Sequence, residues 1–264
     1  MKLSAVFCIG SLLLASPVLV KADDLDDTLA ALKQAVTAKE TAKVKELAAK
    51  AHALNAKWQA PPPADVTDAD AYKARADYAK DVDTYGEYGL YALAIQSAPA
   101  TAMDLISTLE KQNSKSKYLD MPGVLTMLAD DALGKKQTDR ALGFANRLIA
   151  VNSQKAPEGV SEADWSKTKD AAVGRGYWIA GVIHGEKQQF RDADRDLRAA
   201  LPLIKGNNAM MAPALFYLGV ASYKMEKIQE AINFFKACSA IKSPFQAESN
   251  KNIARIRQQY AGLK

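Results

Sequence analysis

Leu25, Leu29, Leu32 and Val36 recur at helical spacing, and the acidic run Asp23, Asp24, Asp26 and Asp27 stands where the positive end of a helix dipole favours it. The spacing predicts a first amphipathic helix. Val44, Leu47, Ala48, Ala51 and Leu54 form the apolar stripe of a second, and the pair closes as an antiparallel hairpin around residues 38–41. Pro61, Pro62 and Pro63 end it, because consecutive prolines lack the amide hydrogens of a helix and hold an extended path. They make the one clear linker, residues 61–67, after an N-terminal hairpin over residues 23–60. Thr67 with Asp70 then reads as a helix start. The proline-free stretch from Ala69 to Ser97 predicts a long helix rich in tyrosine (Tyr72, Tyr78, Tyr85, Tyr88, Tyr91). Pro99 breaks it, and Ala102, Ile106 and Leu109 make the returning helix.

A further hairpin begins near Pro122. Leu125, Leu128, Ala129 and Ala132 form the apolar face of its first helix, residues 134–138 the turn, and Ala141, Ala145 and Leu148 the face of its second. An insertion containing Pro157 and Gly159 follows over residues 152–166, within which Ser161 with Asp164 signals the start of a helix running toward Gly185. The last segment, residues 244–264, opens with Ser243-Pro244, an N-cap followed by proline at the first helical position, and continues through Ile253 and Ile256 to Tyr260. Glu248, Lys251, Asn252, Arg255 and Gln259 give this terminal helix a polar outer face, as the end of a stacked array requires.

Within residues 68–243 one pattern occurs twice in the same register. Tyr177-x-x-Ala180-Gly181 is followed by Ala193 and Leu197, and Leu215-x-x-Leu218-Gly219 by Ala231 and Phe235, with every equivalent pair 38 residues apart. Glycine or alanine admits a neighbouring helix, and Leu197 and Phe235 fill the space beside it. The pattern resembles the tetratricopeptide-repeat family, W-x-x-L-G-x-x-Y followed by alanine and phenylalanine. The resemblance implies an all-α fold of antiparallel helical hairpins stacked as a right-handed solenoid, with the last helix as its cap. The spacing departs from the family's repeat of about 34 residues: Ala102 to Ala141 is 39 residues and Ala141 to Ala193 is 52. His184 and Ser222 replace a favoured tyrosine.

Residues 1–22 read as an export signal. Lys2 supplies the positive end, residues 5–15 are almost wholly apolar, and Val20-Lys21-Ala22 offers a cleavage site, so an exported, periplasmic protein is expected. Cleavage removes Lys2, Lys21 and Cys8; the formal charge falls from +5 to +3, and Cys238 is left without a disulfide partner. Charges of both signs interleave along the chain, which argues against a nucleic-acid partner and leaves at most a peripheral membrane contact. Lys43, Lys50 and Lys57 share one helix face, read as a solvated face.

Reactive groups are sparse. Cys238 occupies a small-residue packing position, His184 a helix-packing position, and His52 stands apart from any other ligand type, so neither a nucleophile–base pair nor a metal site is expected. Asp192, Asp194 and Asp196 interleave with Arg191, Arg195 and Arg198 on a helix, the pattern of salt-bridged faces rather than of a calcium loop. No cofactor is expected, and an enzyme is the least favoured reading.

The resemblance also implies a concave groove lined by the first helices of successive hairpins. Carried over to this sequence, its lining is Glu87 and Tyr91, Thr126 and Asp130, Arg175, Trp178 and Val182, then Phe216, Val220 and Tyr223. Aromatic residues beside an arginine concentrate interface energy, although Trp178 and Phe216 serve equally well as packing between units. Glu87 with Tyr91 and Thr126 with Asp130 stand where a carboxylate clamp would need a cation and an asparagine, so an apolar or mixed protein segment is the expected ligand. The expected role is a non-catalytic scaffold for protein–protein contact. The alternative is a cell-envelope accessory that handles a polysaccharide or peptidoglycan.

Overall fold

The computed structural model describes residues 24–64, 66–157 and 159–260; the expected export segment lies outside them. All regular structure among the described residues is helical: α1 (Asp24–Thr37), α2 (Thr41–Trp58), α3 (Ala69–Ala94), α4 (Pro99–Gln112), α5 (Pro122–Gly134), α6 (Thr138–Ala150), α7 (Glu162–Glu186), α8 (Phe190–Ala200), α9 (Asn208–Lys224), α10 (Ile228–Ser239) and α11 (Gln246–Gln259). Short 3-10 turns at Lys117–Asp120 and Val151–Ser153 precede α5 and follow α6. No described helix is long and apolar enough to cross a membrane. Each helix packs chiefly on a neighbour in sequence and, in several cases, on the next but one: α7 touches both α5 and α9, and α1 touches α3, whereas α4 packs on α3 and touches α5 only slightly.

Four of the connections share one backbone solution. Lys39, Lys136, Gln188 and Glu226 all adopt left-handed φ values, 58°, 56°, 59° and 62°. Behind them, the amides of Glu40, Gln137, Gln189 and Lys227 reach back five residues to the carbonyls of Ala35, Ala132, His184 and Ser222. This arrangement satisfies carbonyls that a helix end leaves open, and a left-handed residue is what turns the chain to permit it. The hairpins α1–α2, α5–α6, α7–α8 and α9–α10 therefore close in the same way. The connection from α3 to α4 differs: Pro99 forces Ala98 into extended backbone (φ −60°, ψ 152°), and α3 ends at Ala94 rather than at Ser97.

Within the hairpins the small residues lie where large ones close on them. A Cβ built on Gly181 would stand 2.5 Å from Leu197 Cγ, and one on Gly219 would stand 2.7 Å from the Phe235 ring. Other glycines of α7 meet different neighbours. A Cβ built on Gly176 would stand 2.7 Å from the Ala145 carbonyl of α6, one on Gly174 2.7 Å from Leu203, and one on Gly185 2.6 Å from Tyr217 of α9. One apolar cluster runs from Ala35 through Leu90, Leu125 and Ile179 to Leu218, with smaller clusters at each end around Leu32 and Val82 and around Phe235 and Ile256. The proline run separates α2 from α3 in sequence and not in space, since the two helices pack along each other and the Trp58 and Tyr72 rings meet at 5.3 Å.

Several boundaries differ from the sequence expectation. The cap of α3 is Asp68, whose carboxylate accepts from the Ala71 amide, rather than Thr67. The start of α7 follows its expected cap, with Ser161 accepting from the Asp164 amide, so the insertion ends at Ser161 rather than at residue 166. The terminal helix begins at Gln246 instead of Pro244. Ser243 Oγ accepts from the Phe245 amide in a local turn, and Phe245 packs against Phe216 at 5.1 Å between ring centres. Asn252 is not on the polar outer face; it is buried, accepting from Arg255.

These spacings fix the sign of glycine substitutions. Gly181→Ala is expected to destabilise by about 1–3 kcal/mol, because Leu197 and its backbone nitrogen must move. Gly143→Ala, on an open face of α6 with nothing within 4 Å, is expected to stabilise by up to about 1 kcal/mol from helix propensity alone. Urea unfolding of both variants checks the contrast. Gln188→Gly, relieving a left-handed glutamine, is expected to raise the same midpoint by up to about 1 kcal/mol.

Candidate functional site

The chemically capable side chains come first, because their partners decide what is left to act. Every interior carboxylate is engaged. Asp83 faces His52 Nδ1 at 3.1 Å and accepts from Asn55 at 2.7 Å; Glu87 accepts from Asn113 and from Ser116, both at 2.7 Å. Asp196 faces His184 Nδ1 at 2.8 Å and accepts from Arg195 Nε at 2.8 Å. His52 is thus not isolated, as its sequence context suggested, and Glu87 ties the α4–α5 connection to α3 instead of lining a groove. Asp192 pairs with Arg195 and Asp194 with Arg198. Among the described residues, no group of three or more histidine, cysteine or acidic side chains is placed to hold a metal ion. Cys238 is fully buried and donates to the Ala212 carbonyl at 3.3 Å, and burial raises its thiol pKa above the ordinary value.

An open hollow of about 630 Å³ lies between the first halves of α5 and α7 and the start of α9. Small residues create it: Gly123 on α5 and Ala171 and Ala172 on α7 leave room that Met127, Ile204 and Met210 wall with apolar surface. Thr126, Thr168, Arg175, Lys205 and Asn207 supply polar atoms at its edge. Arg175 is fixed from two directions. Its Nε and Nη2 donate to Asp130 at 2.8 and 2.6 Å, and its guanidinium lies 4.5 Å from the Trp178 ring centre. A second hollow of about 370 Å³ shares Met127 and continues past Asp130 and Asp131 to Pro99 and Met103.

The ten residues expected to line a groove fall into separate places. Thr126 and Arg175 line the main hollow, and Asp130 lines the smaller one beside it. Trp178 lies beneath the main hollow, buried, its indole donating to the Met210 carbonyl at 2.8 Å. Val182 borders a different depression beside the α5–α6 turn. Phe216, Val220 and Tyr223 pack against the α10–α11 cluster, and the Tyr223 hydroxyl donates to Gln259 at 2.8 Å. Tyr91 stacks on Tyr118 at 5.2 Å, and burial, with the neighbouring Tyr88 and Tyr118 phenols, raises its pKa so that the hydroxyl stays neutral. The aromatic residues therefore serve mainly to pack the units. The pattern did not disclose Lys205 and Met210, which come from a turn and a helix start, or Ala171 and Ala172, whose role is to leave space.

No protein-family model, no curated protein and no solved structure matches the chain.

The burial of Cys238 gives a direct check. At mildly alkaline pH, iodoacetamide is expected to leave this thiol unmodified in the folded protein and to label it fully in denaturant, because burial disfavours the thiolate that reacts. Labelling at equal rates in both states would contradict the packing.

Proposed function

We propose that the chain is a tetratricopeptide-like solenoid of helical hairpins, exported to the periplasm, that holds a segment of another protein in the hollow between its first helices. The observation that carries this reading is the hollow itself: an open, mostly apolar depression shared by α5, α7 and the start of α9, with polar groups at its rim. The repeated left-handed turns and the glycine contacts support the solenoid, since identical hairpins stacked on their neighbours grow a continuous inner surface. The protein acts by binding rather than by catalysis. Its two histidines are paired with aspartates and its folded-state thiol is sealed, so no nucleophile lies beside a free base at the hollow.

A second reading is an envelope accessory that binds a glycan. The observation favouring it lies elsewhere, in the half-exposed Tyr88 between Tyr85 and Tyr118, with Lys33 and Lys117 over the outer rings. Ring faces flanked by ammonium groups suit an acidic sugar.

A photo-reactive phenylalanine analogue at Thr126, at Tyr88 and, as a control on another face, at Lys236 separates the readings in living cells. The scaffold reading expects protease-sensitive protein adducts from position 126 and none from 236. Adducts to protease-resistant polymer from position 88, with none from 126, would replace it by the glycan reading.

A further inference from the structure

The two hollows that share Met127 form a trough whose charge is unequal along its length. At one end stand Asp130 and Asp131, and both are neutralised: Asp130 by Arg175 at 2.6 Å and Asp131 by Lys135 at 2.9 Å. Lys205, exposed in the turn between α8 and α9, lines the larger hollow and has no carboxylate partner among the described residues. Met127, Met210 and Ile204 line the same hollow with apolar surface. Along α5 the trough extends from Pro122 to Asp131, which at 1.5 Å per residue is about 14 Å. That length accommodates about four residues of extended chain at roughly 3.3 Å each.

We propose that the trough selects a short extended protein segment in which one or two apolar side chains precede an acidic side chain that pairs with Lys205. This rests on the reading of the hollow as a protein-binding site and adds the chemistry of the ligand. The apolar walls supply affinity, since burying them against a side chain removes hydrocarbon from water. The single uncompensated cation supplies direction and specificity: a carboxylate beside Lys205 is attracted, whereas a second ammonium group there is repelled. The paired aspartates of the smaller hollow have their charge already met and add no demand for a basic residue. The partner's acidic residue is therefore the one charged side chain the trough selects, with uncharged residues tolerated beside the aspartates.

Fluorescein-labelled octapeptides of a Gly-Ser background test this with the full mature chain. Each carries two adjacent leucines and, one to three positions later, glutamate, glutamine or lysine, and fluorescence anisotropy gives the affinities. The expected order is glutamate over glutamine over lysine, with about a tenfold span between the extremes. Lys205→Glu, an exposed substitution that leaves the core intact, is expected to reverse the order, and Lys236→Glu is expected to leave it unchanged. Binding of the leucine peptides without preference among the three end residues, or a preference untouched by Lys205→Glu, would overturn the assignment of the acid while keeping the trough. Failure of every leucine peptide to bind would overturn both readings.

Discussion

Helix α7 approaches four neighbours through four glycines, and the arrangement of the chain's C-terminal half follows from that. Gly176 lies against the backbone of α6, Gly181 against Leu197 of α8, Gly185 against Tyr217 of α9 and Gly174 against Leu203 in the turn that joins α8 to α9. At each point the missing Cβ is the space the neighbour occupies. Interiors packed to crystalline density do not absorb an extra carbon at 2.5–2.7 Å without displacement, so these contacts set helix separations rather than merely tolerating them. Glycine inside a helix carries a conformational cost near 1 kcal/mol relative to alanine. Closer packing on four sides offsets it.

The same contacts shape the candidate site. Leu203, held against Gly174, and Met210, whose carbonyl receives the Trp178 indole, are both walls of the hollow. Arg175 lies between Gly174 and Gly176 and spans to Asp130 on α5, so the rim of the hollow is built by the residues that dock α7 onto its neighbours. In the proposed scaffold, binding surface and stacking surface are therefore two sides of one helix. Ligand choice depends on the positions that stacking does not use, of which Lys205 is the most distinct.

The sequence disclosed the parts of this that repeat. Gly181 with Leu197 and Gly219 with Phe235 were visible because two copies 38 residues apart share them, and amphipathic spacing placed most helices to within a few residues. Gly174, Gly176 and Gly185 carry equal packing constraints that no sequence signal marks, since each meets a different element and none belongs to a repeated pattern. The four left-handed turn residues are lysine, glutamine and glutamate, types that favour helices, so nothing local announces the turn. The engagement of Asp83 by His52 and of Glu87 by Asn113 joins residues 31 and 26 positions apart, which no spacing rule connects. The aromatic residues looked like a binding face because an aromatic–arginine pattern is the same whether the rings meet a ligand or a neighbouring helix.

Fixed separations between neighbouring helices organise the fold locally, and hydrogen–deuterium exchange of the whole chain carrying Gly176→Ala tests this. The added carbon would meet the Ala145 carbonyl, which cannot swing aside as a side chain can. Faster exchange is expected in α6 and α7 and, to a lesser degree, in α5, α8 and α9, with α1, α2, α10 and α11 as protected as in the parent protein. Equal loss of protection through all eleven described helices, or none in α6 and α7, would overturn it.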